Sequence, residues 1–353
     1  MNLFTPLQLG ALQLRNRIVM APMTRSRADT TGVPTELMVD YYRQRASAGL
    51  IISEGIAPSA DGLGYCRTPG IYNAVQVDAW RAITDAVHAE GGCMVAQLMH
   101  VGRVANPLNK PAGTRTVAPS AIQARGEIYT DQSGMQPLAA PEALTLEEIP
   151  AVIDEYRKAT ENAFAAGFDG VELHCTSGYL PAQFLSTGSN QRSDRYGGSV
   201  TNRARFVLEV LAAMAGVDGA DRVGMRICPD NPFNDLRDDD PQQTFDHLLQ
   251  TAQALDLAYL HAIRFPRGRV DNLALGRRYF GDRLIGNESF DYHEAQRAVE
   301  AGELSAVSFG RHFIANPDLV ERLRDGVDLA QFDLSTLYTP GAKGYTSYPR
   351  SGD

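Results

Sequence analysis

The sequence predicts an α/β protein wound as a (β/α)8 (TIM) barrel, and three observations predict it. Eight short apolar runs rich in Val, Ile and Leu recur along the 353 residues. Amphipathic helical patterns fall between them, and no Gly/Pro/Ser-rich linker divides the chain. The runs lack strict alternation, as expected of strands buried on both faces of a parallel sheet. Length alone would allow two domains, but barrels of this length are routinely one, so residues 1–353 are read as a single domain.

Taken in order, residues 2–14 hold LQLGALQL, a hairpin about Gly10 that would cap the bottom of the barrel. The first strand is RIVMA at 17–21. The others are GLIISEG at 49–55, CMVAQLM at 93–99, FDGVELH at 168–174, RVGMRIC at 222–228, LAYLHAI at 257–263, RLIGN at 283–287 and LSAVSFG at 304–310. Between them, Thr145 and Glu148 form a T-x-x-E capping box ahead of Ile149, Val152, Ile153, Tyr156, Ala159 and Phe164, which share one face. Gly167 stops that helix. Residues 202–214 repeat the pattern, as do residues 241–256, where Phe245, Leu248, Leu249, Ala252 and Leu255 line one side. Residues 102–145 form a long excursion after strand three, and such segments on the C-terminal side of a barrel shape sites. The tail LYTPGAKGYTSYPR is rich in Tyr and Gly and is read as folding back over the barrel.

The composition, 44% hydrophobic and 21% charged, is that of a soluble globular protein. A net charge of −9 without any Lys/Arg-rich block argues against nucleic acid or anionic lipid as partners. No run approaches the ~20 apolar residues of a membrane span and no basic-then-apolar leader opens the chain, so the cytoplasm is the default location. Cys66, Cys93, Cys175 and Cys228 have no metal-binding spacing and are read as free thiols.

In such a barrel, catalytic groups sit at the C-terminal ends of strands. That places Thr24 and Arg25 after strand one, Gln97 and His100 at strand three, His174 at strand four with Tyr179 in its loop, and Arg226 near the end of strand five. A guanidinium among apolar strand residues needs an anionic partner. Two readings are open for Arg226: an internal ion pair with Glu172, or a charge held against an anionic cofactor. Gly286 and Asn287 end strand seven, and Gly310 and Arg311 follow strand eight, the recurrent phosphate site of these barrels. No G-x-G-x-x-G opens a helix after a strand, so a redox cofactor here is flavin mononucleotide (FMN) held by its phosphate, not NAD on a Rossmann unit.

The runs NRIVMAPMTRSRA, VAQLMHVGR, GFDGVELHCTSGYLPAQFLSTGSNQRSDRYGGSVTNRARFVLEVL and AVSFGRHFIANPDLVERL, with the final GYTSYP, resemble the Old Yellow Enzyme family of FMN-dependent ene-reductases over nearly the whole chain. The resemblance implies non-covalent FMN at the C-terminal mouth and NADPH or NADH as hydride donor. It also implies small electron-poor alkenes, unsaturated carbonyl or nitro compounds, as substrates, and it leaves monomer and homo-oligomer both open. Pro22, Met23 and Thr24 would edge the flavin, Gly55 would pass close to it, Gln97 would hold its pyrimidine part and Arg226 its N1 side. Gly286, Asn287, Gly310 and Arg311 would hold the phosphate. His174 with Ser177 would grip the substrate oxygen, Tyr179 would give the proton, and Tyr65, Met99 and Tyr338 would line the substrate pocket.

Three positions depart from the family pattern. Ser177 stands where asparagine or a second histidine is usual, and its shorter reach weakens a two-point grip. Met99 replaces a frequent tryptophan, and two readings are open: a plain apolar filler, or a roomier, more deformable pocket. Glu288 follows Asn287, where its charge would repel a phosphate, so its side chain is expected to turn away. His88, His247, His293 and His312 read as surface or packing residues, and His100 as structural. Two rivals remain on sequence alone: a metal-dependent barrel hydrolase using Glu172, His174 and His261, and an FMN barrel whose His/Ser pair has lost turnover.

Overall fold

The protein, seen in a computed structural model that describes residues 1–352, is a closed barrel of eight parallel strands whose neighbours follow the order of the sequence. The chain starts with the hairpin β1 (Leu7–Leu9) and β2 (Leu12–Leu14), turned at Gly10. Next come β3 (Ile18–Met20), α1 (Glu36–Arg43), β4 (Leu50–Ile56), α2 (Ala74–Ala89) and β5 (Met94–Leu98). The excursion holds β6 (Val117–Ala118), β7 (Glu127–Thr130), β8 (Gly134–Pro137) and β9 (Glu142–Ala143). These form two small sheets, β6 with β9 and β7 with β8, where the sequence had suggested only a loop. The barrel resumes with α3 (Ile149–Ala165), β10 (Gly170–Cys175), α4 (Leu180–Leu185), α5 (Val200–Asp218), β11 (Val223–Ile227), α6 (Pro241–Ala252), β12 (Tyr259–Ile263) and α7 (Asn272–Phe280). It closes with β13 (Leu284–Asn287), α8 (Tyr292–Glu300), β14 (Ala306–Phe309), α9 (Arg311–Ala315) and α10 (Leu319–Asp325).

Local chemistry sets the helix starts. Thr145 and Glu148 exchange the two bonds of the expected capping box: the Thr145 N–H donates to the Glu148 carboxylate at 2.8 Å and the Glu148 N–H to the Thr145 hydroxyl at 3.3 Å. Asn73, Ser199, Asp240, Asp271 and Asp291 cap α2, α5, α6, α7 and α8 by accepting an N–H of the first turn.

Two apolar layers result. Inside the barrel, Val19, Ile52, Val95, Ile285 and Ala306 pack on Leu9, Leu12 and Leu14, so the hairpin plugs the bottom as expected. Outside, the barrel's other faces pack against the helices in one continuous core that includes Trp80, Tyr156, Phe184 and Phe206. With its lower half filled by side chains, the barrel is open to ligands at the C-terminal end alone.

The tail does fold back. Arg25, just after β3, donates to the carbonyls of Leu337 (3.2 Å) and Gly344 (2.7 Å), and Arg27 to those of Thr336 (2.9 Å) and Leu337 (2.7 Å). Tyr345 stacks on Tyr41 of α1 with ring centroids 4.0 Å apart. These buried guanidiniums find carbonyl dipoles and aromatic faces in place of carboxylates. No helix among the described residues is long and apolar enough to cross a membrane.

Candidate active site

Beneath the mouth, six buried polar side chains join strands from opposite sides of the barrel. The Gln97 amide donates to Glu172 at 2.7 Å, and the other Glu172 oxygen accepts from His261 Nδ1 at 3.0 Å. Arg226 donates to the His261 ring at 2.6 Å and to Asn287 Oδ1 at 2.7 Å, the Asn287 amide donates to the Ser308 carbonyl at 3.0 Å, and the Ser308 hydroxyl lies 2.7 Å from His261 Nε2. Burial opposes the charge on Glu172, but His261, Arg226 and the Gln97 amide outweigh it and hold this carboxyl below its usual range. Burial and the nearby Arg226 push His261 down to about 4. A neutral ring with its proton on Nδ1 serves its neighbours, donating to Glu172 and accepting at Nε2 from Arg226 and the Ser308 hydroxyl. Of the two readings left open for Arg226, the direct pair with Glu172 is not formed: His261 stands between them, because the register aligns His174, Arg226 and His261 side by side on adjacent strands.

Two cavities meet above this floor. The first, about 930 Å³, is lined by Thr24, Gly55, Gln97, Met99, His174, Tyr179 and other residues, and the second, about 720 Å³, by Asn287, Ser308, Gly310 and Arg311 among others. Pro22, Thr24, Arg226, Leu334 and Tyr338 border both, so together they form one trough running from the β10 loop to the end of β14.

The first cavity gathers the residues singled out for chemistry. His174 is buried, its Nδ1 has no partner among the described residues, and burial beside Arg226 pushes its pKa down to about 3. It is a neutral imidazole throughout the physiological range. Its ring centroid is 5.0 Å from that of Tyr179. The Tyr179 hydroxyl donates to the Tyr65 hydroxyl at 3.0 Å, and burial together with Tyr65 raises the Tyr179 phenol well above its ordinary value. Between His174 and Tyr179 the chain turns through Ser177 at φ +59 and Gly178 at φ +81. A side chain at Gly178 would strike Asn234, 2.5 Å away, so this glycine serves both the left-handed turn and the close approach of the loop after β11. That loop holds the turn in place, since the Asn234 amide donates to the Ser177 carbonyl at 2.8 Å. Met99 fills the wall behind Gly55, where an added Cβ would lie 2.4 Å from its sulfur. Tyr338 lies at the rim and is 59% exposed.

Pro22, Met23, Thr24, Asn287, Gly310 and Arg311 all line the second cavity. Gly286 does not: its missing side chain faces Leu304, 2.5 Å away on the helix side, so packing explains this glycine. Glu288 is a second correction. It does not turn away but pairs with Arg311 and bonds Ser289, because the chain reverses at Glu288 and Ser289, both at positive φ, and brings the carboxylate back to the strand end. His312, read as a surface or packing residue, is exposed and borders the same cavity. His100 is structural: its Nδ1 accepts the Gly102 N–H and burial holds it neutral.

The residues present fit FMN. The donor set is a buried guanidinium under one end of the trough and, at the other, Arg311, which Glu288 and Ser289 hold at the cavity wall, and an unpartnered buried imidazole nitrogen lies at the wall between. The Gln97 nitrogen is committed to Glu172, which leaves its oxygen for a ligand. Sequence reasoning missed Phe233 and Asn234, and gave His261 a place only in a metal cluster. Among the described residues no group of three or more His, Cys, Asp or Glu side chains could hold a metal ion, and His261 and Glu172 are bound to each other.

Comparison with known proteins agrees with this fold and with a flavin-binding barrel. Residues 2–330 match the NADH:flavin oxidoreductase / NADH oxidase family. A probable flavin mononucleotide-dependent alkene reductase of Leishmania infantum is 43% identical over 98% of this chain and 96% of its own length. The solved structure of an old yellow enzyme homologue from Zymomonas mobilis superposes with a TM-score of 0.94, at 41% identity over 99% of each chain. Morphinone reductase in complex with tetrahydroNAD superposes equally well, with a TM-score of 0.94, at 45% identity over 100% of this chain and 98% of that one.

Proposed function

The chain belongs to the NADH:flavin oxidoreductase / NADH oxidase family, and from that premise we propose that its trough reduces electron-poor alkenes with His174 and Tyr179 as the working side chains. It is an FMN-dependent ene-reductase driven by NAD(P)H. Bound in the trough, FMN would supply hydride chemistry, accepting hydride from the nicotinamide and passing it to the alkene.

The protein's own contribution is binding, polarisation and proton supply. His174, neutral because it is buried next to Arg226, donates a hydrogen bond to the substrate's carbonyl or nitro oxygen and draws electron density from the conjugated double bond. Tyr179, kept protonated, gives its proton to the α-carbon. Tyr65 accepts the Tyr179 O–H bond and is half-buried, so it can hand a proton inward from the rim. Arg226 stabilises negative charge over the floor, as a fixed cation does for a developing anion. Arg311, Gly310 and Asn287, which line the second cavity, would hold the phosphate.

One observation carries the reading: a neutral imidazole and a protonated phenol open into one cavity above a buried guanidinium. The purified protein should be yellow, lose its visible flavin bands on anaerobic addition of NADH or NADPH, and convert cyclohexenone to cyclohexanone. A colourless protein that takes up no FMN, or nicotinamide oxidation without saturated product, would refute the proposal.

Ser177 gives a finer expectation. Its backbone sits at φ +59, a conformation asparagine tolerates better than serine, and an asparagine amide would also reach further into the cavity. Ser177→Asn should bind phenol-type ligands about tenfold tighter, the worth of one added hydrogen bond. Spectral titration tests this, and equal or tighter phenol binding by the unaltered protein would refute it.

A further inference from the structure

The first cavity carries an uneven charge at its rim. Apart from Arg226 on the floor, the charged side chains that line it are Arg67, Glu127 and Asp131. Arg67 is already engaged. It is ion-paired with Asp131 and donates to the carbonyls of Ser26 (3.1 Å) and Tyr338 (2.7 Å), tying the β7–β8 hairpin to the tail. Glu127, at the start of β7, is exposed, and no cation pairs with it among the described residues. Arg125, two residues earlier, is held by Asp235 through bonds of 2.6 and 2.8 Å. One guanidinium therefore faces two carboxylates, and the rim keeps an uncompensated negative charge.

On the proposed function, the hydride donor inserts its nicotinamide into this cavity, so its adenosine end lies outward, toward the hairpin. NADH and NADPH differ there by one 2′-phosphate, a further charge of roughly −2 at neutral pH. We infer that Glu127 and Asp131 make this enzyme choose NADH over NADPH by repelling that phosphate, with Glu127 as the unscreened member of the pair. Such selection works by penalising the wrong partner, and no contact unique to NADH is needed. Asp131 contributes less, since Arg67 offsets it.

The test compares the two nucleotides in the FMN-loaded enzyme, by kcat/KM with cyclohexenone and by calorimetric titration of the unreactive tetrahydro forms. At low ionic strength NADH should be favoured by about tenfold or more in both measurements, and the ratio should narrow toward parity as salt screens the exposed rim. Glu127→Lys, a change at an exposed strand end, should narrow or invert it. Equal or better use of NADPH by the unaltered protein would overturn the inference, as would an NADH preference that survives unchanged either in high salt or in Glu127→Lys. Failure to reduce any alkene would count against the proposed function, whereas the calorimetric comparison would still read the rim.

Discussion

Replacing Tyr179 with phenylalanine is expected to lower alkene reduction by about 10²- to 10⁴-fold, the usual contribution of a positioned general acid, while nicotinamide-driven bleaching of the protein persists. The split follows from the geometry. The Tyr179 hydroxyl has one partner, Tyr65, so its loss removes a single hydrogen bond, and the ring keeps its buried place against His174. Stability should change by only about 1 kcal/mol. Stopped-flow measurement of the two half-reactions separates the effects. Retention of a tenth or more of the alkene-reducing rate would show that the proton comes from elsewhere. Tyr65→Phe is the control: it leaves the Tyr179 phenol in place and should slow turnover less.

Arg226→Ala is expected to damage both stability and cofactor retention. The guanidinium bridges His261 and Asn287 and lies in the field of Glu172, all of them buried. Its removal leaves the Glu172 carboxylate without its nearby cation and Asn287 Oδ1 without its donor. Breaking a buried charge network from one side costs about 3–5 kcal/mol. It also removes the cation from the floor of both cavities, so the Kd for FMN should rise by at least ~100-fold. Arg226→Lys keeps the charge but has one ammonium where a planar fork now makes two separated bonds, and should fall between. Thermal unfolding of the apoprotein and equilibrium dialysis of FMN measure the two effects separately. An Arg226→Ala protein that unfolds at the parent temperature and stays yellow would remove Arg226 from the site.

The barrel was legible because its signals are local. Each strand is an apolar run that ends within two residues of its predicted limit, and the Thr145–Glu148 box needs only four residues to be read. Arg226 stood out for the same reason, as a charge in an apolar run. His261 sits in an equally apolar run, LAYLHAI, yet its role depends on which residue lies opposite on each neighbouring strand, and that register is set by the closure of the whole sheet. The Glu288 reversal turned on two positive φ angles at non-glycine residues, which composition does not announce. Asn234 was hidden in a turn-forming stretch, PDNPFND, where asparagine reads as a turn residue. Only the approach of that turn to Gly178 makes it part of the site.

The strap formed by the tail has a consequence for how the protein is made. Arg25 and Arg27 emerge early from the ribosome, yet the carbonyls and the aromatic ring that receive them lie around residues 336–345. Contacts of such long sequence separation are the last to be rewarded during folding. The nascent chain can close its eight strands before those residues have left the exit tunnel, but the wall that carries Leu334 and Tyr338 cannot yet exist. The barrel is thus expected to mature in two stages, with FMN uptake waiting for the tail to emerge. Translation arrest that leaves β14 and α9 outside the tunnel and residues 334–345 within it should yield compact ribosome-bound chains that bind no flavin.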